Sequence, residues 1–143
     1  MNQYRNIYQK ARELTGYTQE TAAELLNISV ESVRAYETDK RRPPDQTVVM
    51  MANLYDFPYL AYQHLAASPL GDLLPRVEPL QLQQATMKLF RLLRGFAKDQ
   101  RTEQLLAIAE DGRIDDVERP EYEQIMGELR AIIAIALSID LAE

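Results

Sequence analysis

The stretch that most constrains this chain is residues 18–42, TQETAAELLNISVESVRAYETDKRR. It reads as a helix, a tight turn, a second helix and a basic run. Thr18 is a good N-cap, and Ala22, Leu25 and Leu26 are expected to make an inward face. A small Ala23 lets two helices cross closely. Asn27-Ile28 makes the turn, because Asn tolerates the left-handed backbone that a sharp helix end needs. Ser29 then caps the second helix, with Ser32 where a capping box prefers Glu or Gln. Val33 and Tyr36 face inward, and Lys40, Arg41 and Arg42 close the run before Pro43-Pro44.

That is the layout of a helix-turn-helix motif, whose second helix enters the major groove of DNA. Residues 8–58 resemble the Cro/C1-type (Xre-like) helix-turn-helix domain of phage repressors. The matching residues are Ala11-Arg12-Glu13, Gly16-Tyr17-Thr18-Gln19-Glu20 and Ala22-Ala23-Glu24-Leu25-Leu26. They continue with Asn27-Ile28-Ser29, Val33, Tyr36-Glu37, Lys40-Arg41-Arg42-Pro43 and Leu54. So many fixed spacings are far more specific than a short motif. The resemblance implies an all-α, lambda-repressor-like DNA-binding domain of five helices. It also implies an inter-helix ion pair between Arg12 and Glu37, with a phosphate contact as a secondary role for Arg12. Two positions depart from the pattern. The family usually has Gly where Asn27 stands. It favours Asn-Gly where Thr38-Asp39 stand, which points to a differently shaped end of the second helix.

The chain carries 16 Lys and Arg against 22 Asp and Glu, a net charge of −6. That balance argues against DNA until its distribution is considered. Residues 1–68 hold seven basic and eight acidic side chains, for −1, and residues 69–143 hold nine and fourteen, for −5. The acidity thus sits mainly outside the motif. A near-neutral domain is only weakly steered to phosphate, so modest affinity per monomer and a need for dimerisation are expected. There is no cysteine, which leaves no disulfide and no thiolate metal site. No apolar run has bilayer-spanning length, and no signal segment is evident at the N-terminus. A cytoplasmic protein without membrane contact is the expectation.

Helical spacing predicts five short helices at about 3–14, 18–26, 29–38, 45–55 and 58–67, within a domain of residues 1–68. Ser68-Pro69-Leu70-Gly71-Asp72, Pro75 and Pro79 make 69–79 a linker or a string of turns. A small C-terminal helical domain, 80–143, follows. Its first helix is expected from about 80 to 110, with a break near Gly95 or Asp99. Its last runs from about 118 to 141, with Pro120 in the first turn. The consecutive apolar residues from Ile132 to Leu137 suggest burial from several sides. Ile132, Ile135 and Leu137 are therefore the expected oligomerisation residues, and the domain is a candidate site for a protein partner.

Other chemistry is thin. Residues 107–118 match an EF-hand loop at some positions, but Ala107 and Ala109 offer no side-chain oxygen, so a turn with a left-handed Gly112 and an inward Ile114 is preferred to a calcium site. His64 is the only histidine and lacks partners at ligand spacing, so a surface or half-buried position is expected. No phosphate loop or nucleophile elbow is present, and nothing argues for an enzyme, a metal or a cofactor. Lys88, Arg91, Arg94, Lys98 and Arg101 would form one cationic stripe on a continuous helix. A solvated face opposite Leu89, Leu92, Leu93 and Phe96 is the commoner case for such a stripe, and pairing with the acidic run 110–123, in the same or a neighbouring subunit, is preferred to a second nucleic-acid surface.

The expected binding site follows from these placements. Thr18 and Gln19 begin one helix and can hold a phosphate, a role the family resemblance also implies for Gln19. Val30, Glu31, Ser32, Arg34 and Ala35 are the candidates for base contact. Lys40, Arg41 and Arg42 would neutralise backbone phosphates. The leading reading is a sequence-specific transcriptional regulator, binding double-stranded DNA as a homodimer through helix 29–38. The alternative is a non-DNA-binding helical interaction module, antitoxin- or adaptor-like.

Overall fold

The computed structural model describes residues 3–142, and among them every regular element is helical. Contacts divide the chain between Leu74 and Pro75 into two compact units. The first holds α1 (Ile7–Leu14), α2 (Gln19–Leu26), α3 (Val30–Glu37), α4 (Asp45–Leu54) and α5 (Tyr59–Ala66), then a 3-10 turn at Gly71–Leu73. The second holds α6 (Leu82–Lys98), α7 (Arg101–Ala109) and α8 (Arg119–Asp140).

Local chemistry explains the N-terminal boundaries. Asn6 caps α1, its side-chain oxygen accepting from the Tyr8 and Gln9 amides at 3.1 Å each. Its amide nitrogen donates to the Tyr36 carbonyl at 2.7 Å, so the cap also ties α1 to α3. The Thr18 hydroxyl accepts from the Thr21 amide and the Ser29 hydroxyl from the Ser32 amide, both at 3.1 Å. Three helices stop in the same way. Asn27, Asp39 and Asp56 take left-handed angles (φ 55°, 59° and 48°) just past α2, α3 and α4. The next amide then reaches back to the last turn: Ile28 to Ala23, Lys40 to Ala35 and Phe57 to Ala52, at 2.9–3.0 Å. Asn and Asp pay the least for this conformation after glycine. Asp39 therefore ends α3 as a glycine would, so the departure at Thr38-Asp39 leaves the turn in place.

The core of the first unit gathers Tyr8, Ala11, Ala22, Leu26, Tyr36, Val48, Met51, Tyr55 and Leu60. Leu25 is the exception to the expected inward face, at 54% exposed. Adjacent helical residues are rotated by about 100°, and the core takes Leu26.

In the second unit α6 ends at Lys98, and Gln100 takes left-handed angles (φ 54°) before α7 begins. The expected break thus falls at Asp99–Gln100, while Gly95 continues α6. Arg101 thereby leaves the expected five-cation stripe. Its Nε and Nη2 instead donate to the two carboxylate oxygens of Glu128 on α8, both at 3.0 Å, and that bond raises the Arg101 pKa. Gly112 is left-handed (φ 74°), as the turn reading requires, and Ile114 is half-buried. Among the described residues no group of three acidic, His or Cys side chains could hold a metal ion. Asp115 shapes the turn that leads into α8: its carboxylate accepts from the Val117 and Glu118 amides at 2.8 Å, and the Glu118 carboxylate accepts from the Asp115 amide at 3.1 Å. Ile125 and Ile135 are buried, whereas Ile132 and Leu137 are half-buried and Ile133 exposed. Ile135 is therefore covered within its own unit, while Ile132 and Leu137 are only partly so. No described helix is long and apolar enough to cross a membrane.

Candidate functional site

A buried ion pair positions α3. Arg12 on α1 is 6% exposed and Glu37, at the last turn of α3, is 3% exposed. Arg12 Nε donates to Glu37 Oε1 at 2.6 Å and Nη2 to Oε2 at 3.0 Å, a two-pronged bond that fixes orientation as well as distance. Arg12 Nη1 donates to the Tyr17 carbonyl at 2.6 Å. All three guanidinium nitrogens thus make hydrogen bonds within the domain, so the structural task of Arg12 comes first. The bond to Glu37 raises the Arg12 pKa, with burial opposing it.

Gln19, at the start of α2, joins this group. Its side-chain amide donates to Glu37 Oε2 at 2.8 Å, and its oxygen accepts from Arg34 Nε at 3.4 Å. One residue thereby links the buried pair to the surface of α3. Thr18 lies exposed beside it.

The start of α3 presents Glu31 to solvent, with Ser32 and Val30 half-buried beside it. One turn on, Arg34 is exposed and Ala35 is half-buried. Arg34 Nη1 is 3.9 Å from Glu31 and Nη2 is 3.5 Å from Glu20, both solvent-screened pairs worth little in stability. The expected base-reading residues therefore share one accessible surface, carried on a helix whose far end is locked by Glu37.

The basic run is less uniform than its sequence. Lys40 is exposed and makes no ion pair among the described residues. Arg41 lies over the Tyr36 ring, 5.0 Å from its centroid, and donates to the Ser32 hydroxyl at 2.6 Å. It borders the α3 surface directly. Arg42 donates to the His64 carbonyl at 2.7 Å, closing the last turn of α5, and so has a structural task of its own.

Sequence reasoning missed His64. It is 1% exposed, with Nδ1 2.7 Å from the Tyr8 hydroxyl and Nε2 2.9 Å from an Asp45 carboxylate oxygen. Every polar atom of the ring is satisfied, and α1, α4 and α5 are joined at one point. Its partners lie 56 and 19 residues away, so no local spacing announces them. Burial raises the Tyr8 pKa, with Arg42 lowering it and Asp39 raising it further.

This arrangement agrees with what the chain is similar to. A protein-family model described as "Helix-turn-helix" matches residues 9–60. The HTH-type transcriptional regulator ImmR of Bacillus subtilis (strain 168) is 45% identical over 47 residues. That match covers 33% of this chain and 37% of the relative, so the chain spans little more than a third of the length of the protein it resembles. No solved structure matches significantly. The N-terminal domain of this chain is a helix-turn-helix domain of the Cro/C1 (Xre-like) type.

Proposed function

We propose that this domain binds double-stranded DNA as a sequence-specific transcriptional regulator, with α3 in the major groove. The observation that carries the reading is the α3 surface itself. Glu31, Ser32 and Arg34 are accessible on a helix locked from below by Arg12 and Glu37, and Arg41 borders them. Glu31 can accept from a cytosine amino group, Ser32 suits several bases, Arg34 suits guanine, and Val30 or Ala35 can meet a thymine methyl. Thr18 and Gln19 at the start of α2, with Lys40 and Arg41, serve the phosphates. The similarity to a protein named as a transcriptional regulator supports the same reading. The protein acts as a dimer, because two recognition helices about 34 Å apart match a two-fold operator.

Selection of bound sites from a random duplex pool, followed by salt titration on the winning site, tests this. Replacing Lys40 and Arg41 by Ala weakens binding to all sequences alike and lowers the salt slope by about 1 per lost phosphate contact. Glu31→Ala changes preference at one base position by roughly 1–3 kcal/mol. The rival is a helical interaction module, antitoxin- or adaptor-like. The net charge of −6 and the internal use of Arg42 favour it. A folded chain that retains neither selected nor random duplex at low salt establishes the rival.

A further inference from the structure

The second unit carries two exposed surfaces of opposite charge that its own chain leaves apart. The first is the outer face of α6. This helix contains Lys88, Arg91, Arg94 and Lys98 and no acidic residue. Helical spacing places Met87, Phe90 and Arg94 together, opposite buried Ala85. Met87 is 68% and Phe90 60% exposed, and the Arg94 guanidinium sits 5.4 Å from the Phe90 ring centroid. The second surface is the turn from Glu110 to Glu121, with six carboxylates against two arginines. At its middle Val117 is 88% exposed, held outward by the Asp115 carboxylate bond to its amide. The only ion pair an α6 cation makes among the described residues is a 4.0 Å contact of Lys88 with Glu78.

Each surface is thus an apolar knob or patch among charges of one prevailing sign, and the prevailing signs are opposite. We infer that the outer face of α6 receives the acidic turn 110–121 of a second copy of the chain, with Val117 seated on Met87 and Phe90. Direct α6-to-α6 pairing would set four cations against four. Nucleic acid would use the cations but leave Met87, Phe90 and Val117 unexplained. Reciprocal contact uses both surfaces twice and closes as a two-fold pair. Opposed charge fixes partner and register and supplies a salt-sensitive part of the affinity, and the apolar centre supplies the rest. The inference rests on the dimeric reading above and supplies its contact.

The test is sedimentation of the full chain without DNA, so that failure here is separate from failure of DNA binding. Wild type should be a dimer at tens of micromolar in 50 mM NaCl and dissociate toward 1 M NaCl. A chain with Arg91→Glu and Lys98→Glu should be monomeric, and so should one with Glu110→Lys and Asp116→Lys. Mixed in equal amounts, the two should pair again, because each reversed surface now meets its complement. Val117→Asp should weaken the wild-type dimer at least tenfold. A monomeric wild type, dimeric single-surface variants, or a mixture that stays monomeric while both chains keep wild-type helical circular dichroism overturns the inference. So does loss of duplex binding in the α6 variant with the dimer intact. If a reversed chain loses helicity, the wild-type titration and Val117→Asp decide: a dimer as tight in 1 M salt, or untouched by Val117→Asp, overturns it.

Discussion

The two units solve the same problem, covering helices, in different ways. In the first, five short helices enclose a continuous aromatic and aliphatic core, and its buried charged and polar side chains are all paired. In the second, three helices bury few residues fully, Ala85, Ile108, Ile125, Ile135 and Ser138, with Phe90, Met87, Leu106 and Ile133 left in solvent; the first unit also exposes Leu14, Leu25, Val49 and Leu65. A short helix can be wrapped by its neighbours. A 22-residue helix beside one of 17 and one of 9 presents more apolar stripe than the two can cover. The first unit thus gathers one continuous core, while the second keeps fewer side chains fully out of solvent.

The sharpest way to break this comparison is at Glu37. If the first unit depends on its buried pair, Glu37→Gln leaves the Arg12 charge half-partnered and costs about 3–5 kcal/mol. Thermal melting of the full chain measures it, and a double-mutant cycle with Arg12 should be strongly non-additive. A loss under 1 kcal/mol would mean the pair is dispensable and the core alone suffices. Alkaline titration comes next. Burial pushes the Tyr55 hydroxyl up to about 12 from 10.0. The unfolded chain releases this proton first, so the stability it contributes is complete below pH 10 and declines as pH rises through about 12. The slope is about 1.4 kcal/mol per pH unit. Denaturant unfolding between pH 9 and 12 checks the sign; stability that holds flat across that window contradicts it, and Tyr55→Phe should flatten the profile.

In the second unit, Ile125→Ala should cost about 2 kcal/mol, the low end for such a deletion, because loosely covered helices can settle into the space. Amide hydrogen exchange should show α6 and α8 losing protection while α1–α5 keep theirs. Protection lost equally in both would show that the units unfold together. The smallest effect expected is at Tyr8→Phe, about 1 kcal/mol, from leaving His64 Nδ1 without its partner. Denaturant unfolding of the variant measures the loss; unchanged stability would mean that the Tyr8–His64 contact contributes nothing.

What was legible in the sequence was local. Thr18, Asn27 and Ser29 announce their caps because each acts on the backbone within three residues. Gly112 and Pro120 did the same for the last turn and helix. The Arg12–Glu37 pair came through family resemblance rather than spacing, since 25 residues separate the partners. Leu25 and Leu26 show the limit of periodicity: they point about 100° apart, and the packing partners decide that only Leu26 is covered. The same holds for Ile132 to Leu137, six apolar residues in a row, of which only Ile135 is fully buried. His64 lay beyond reach because its environment is assembled from three helices. Asn6, Gln19 and Arg42 likewise owe their tasks to tertiary neighbours.

The left-handed Gln100 turns the end of α6 into a phase setter. Arg101 reaches Glu128 only because α7 restarts at a particular angle after two intervening residues. Loops usually tolerate insertions better than helices do, and here the order is reversed. Substituting Gln100 by glycine would keep the phase and ease the backbone. A single added residue would change where and at what angle α7 restarts, and part the arginine from its carboxylate. In a lineage of such proteins this turn should vary in identity while holding its length.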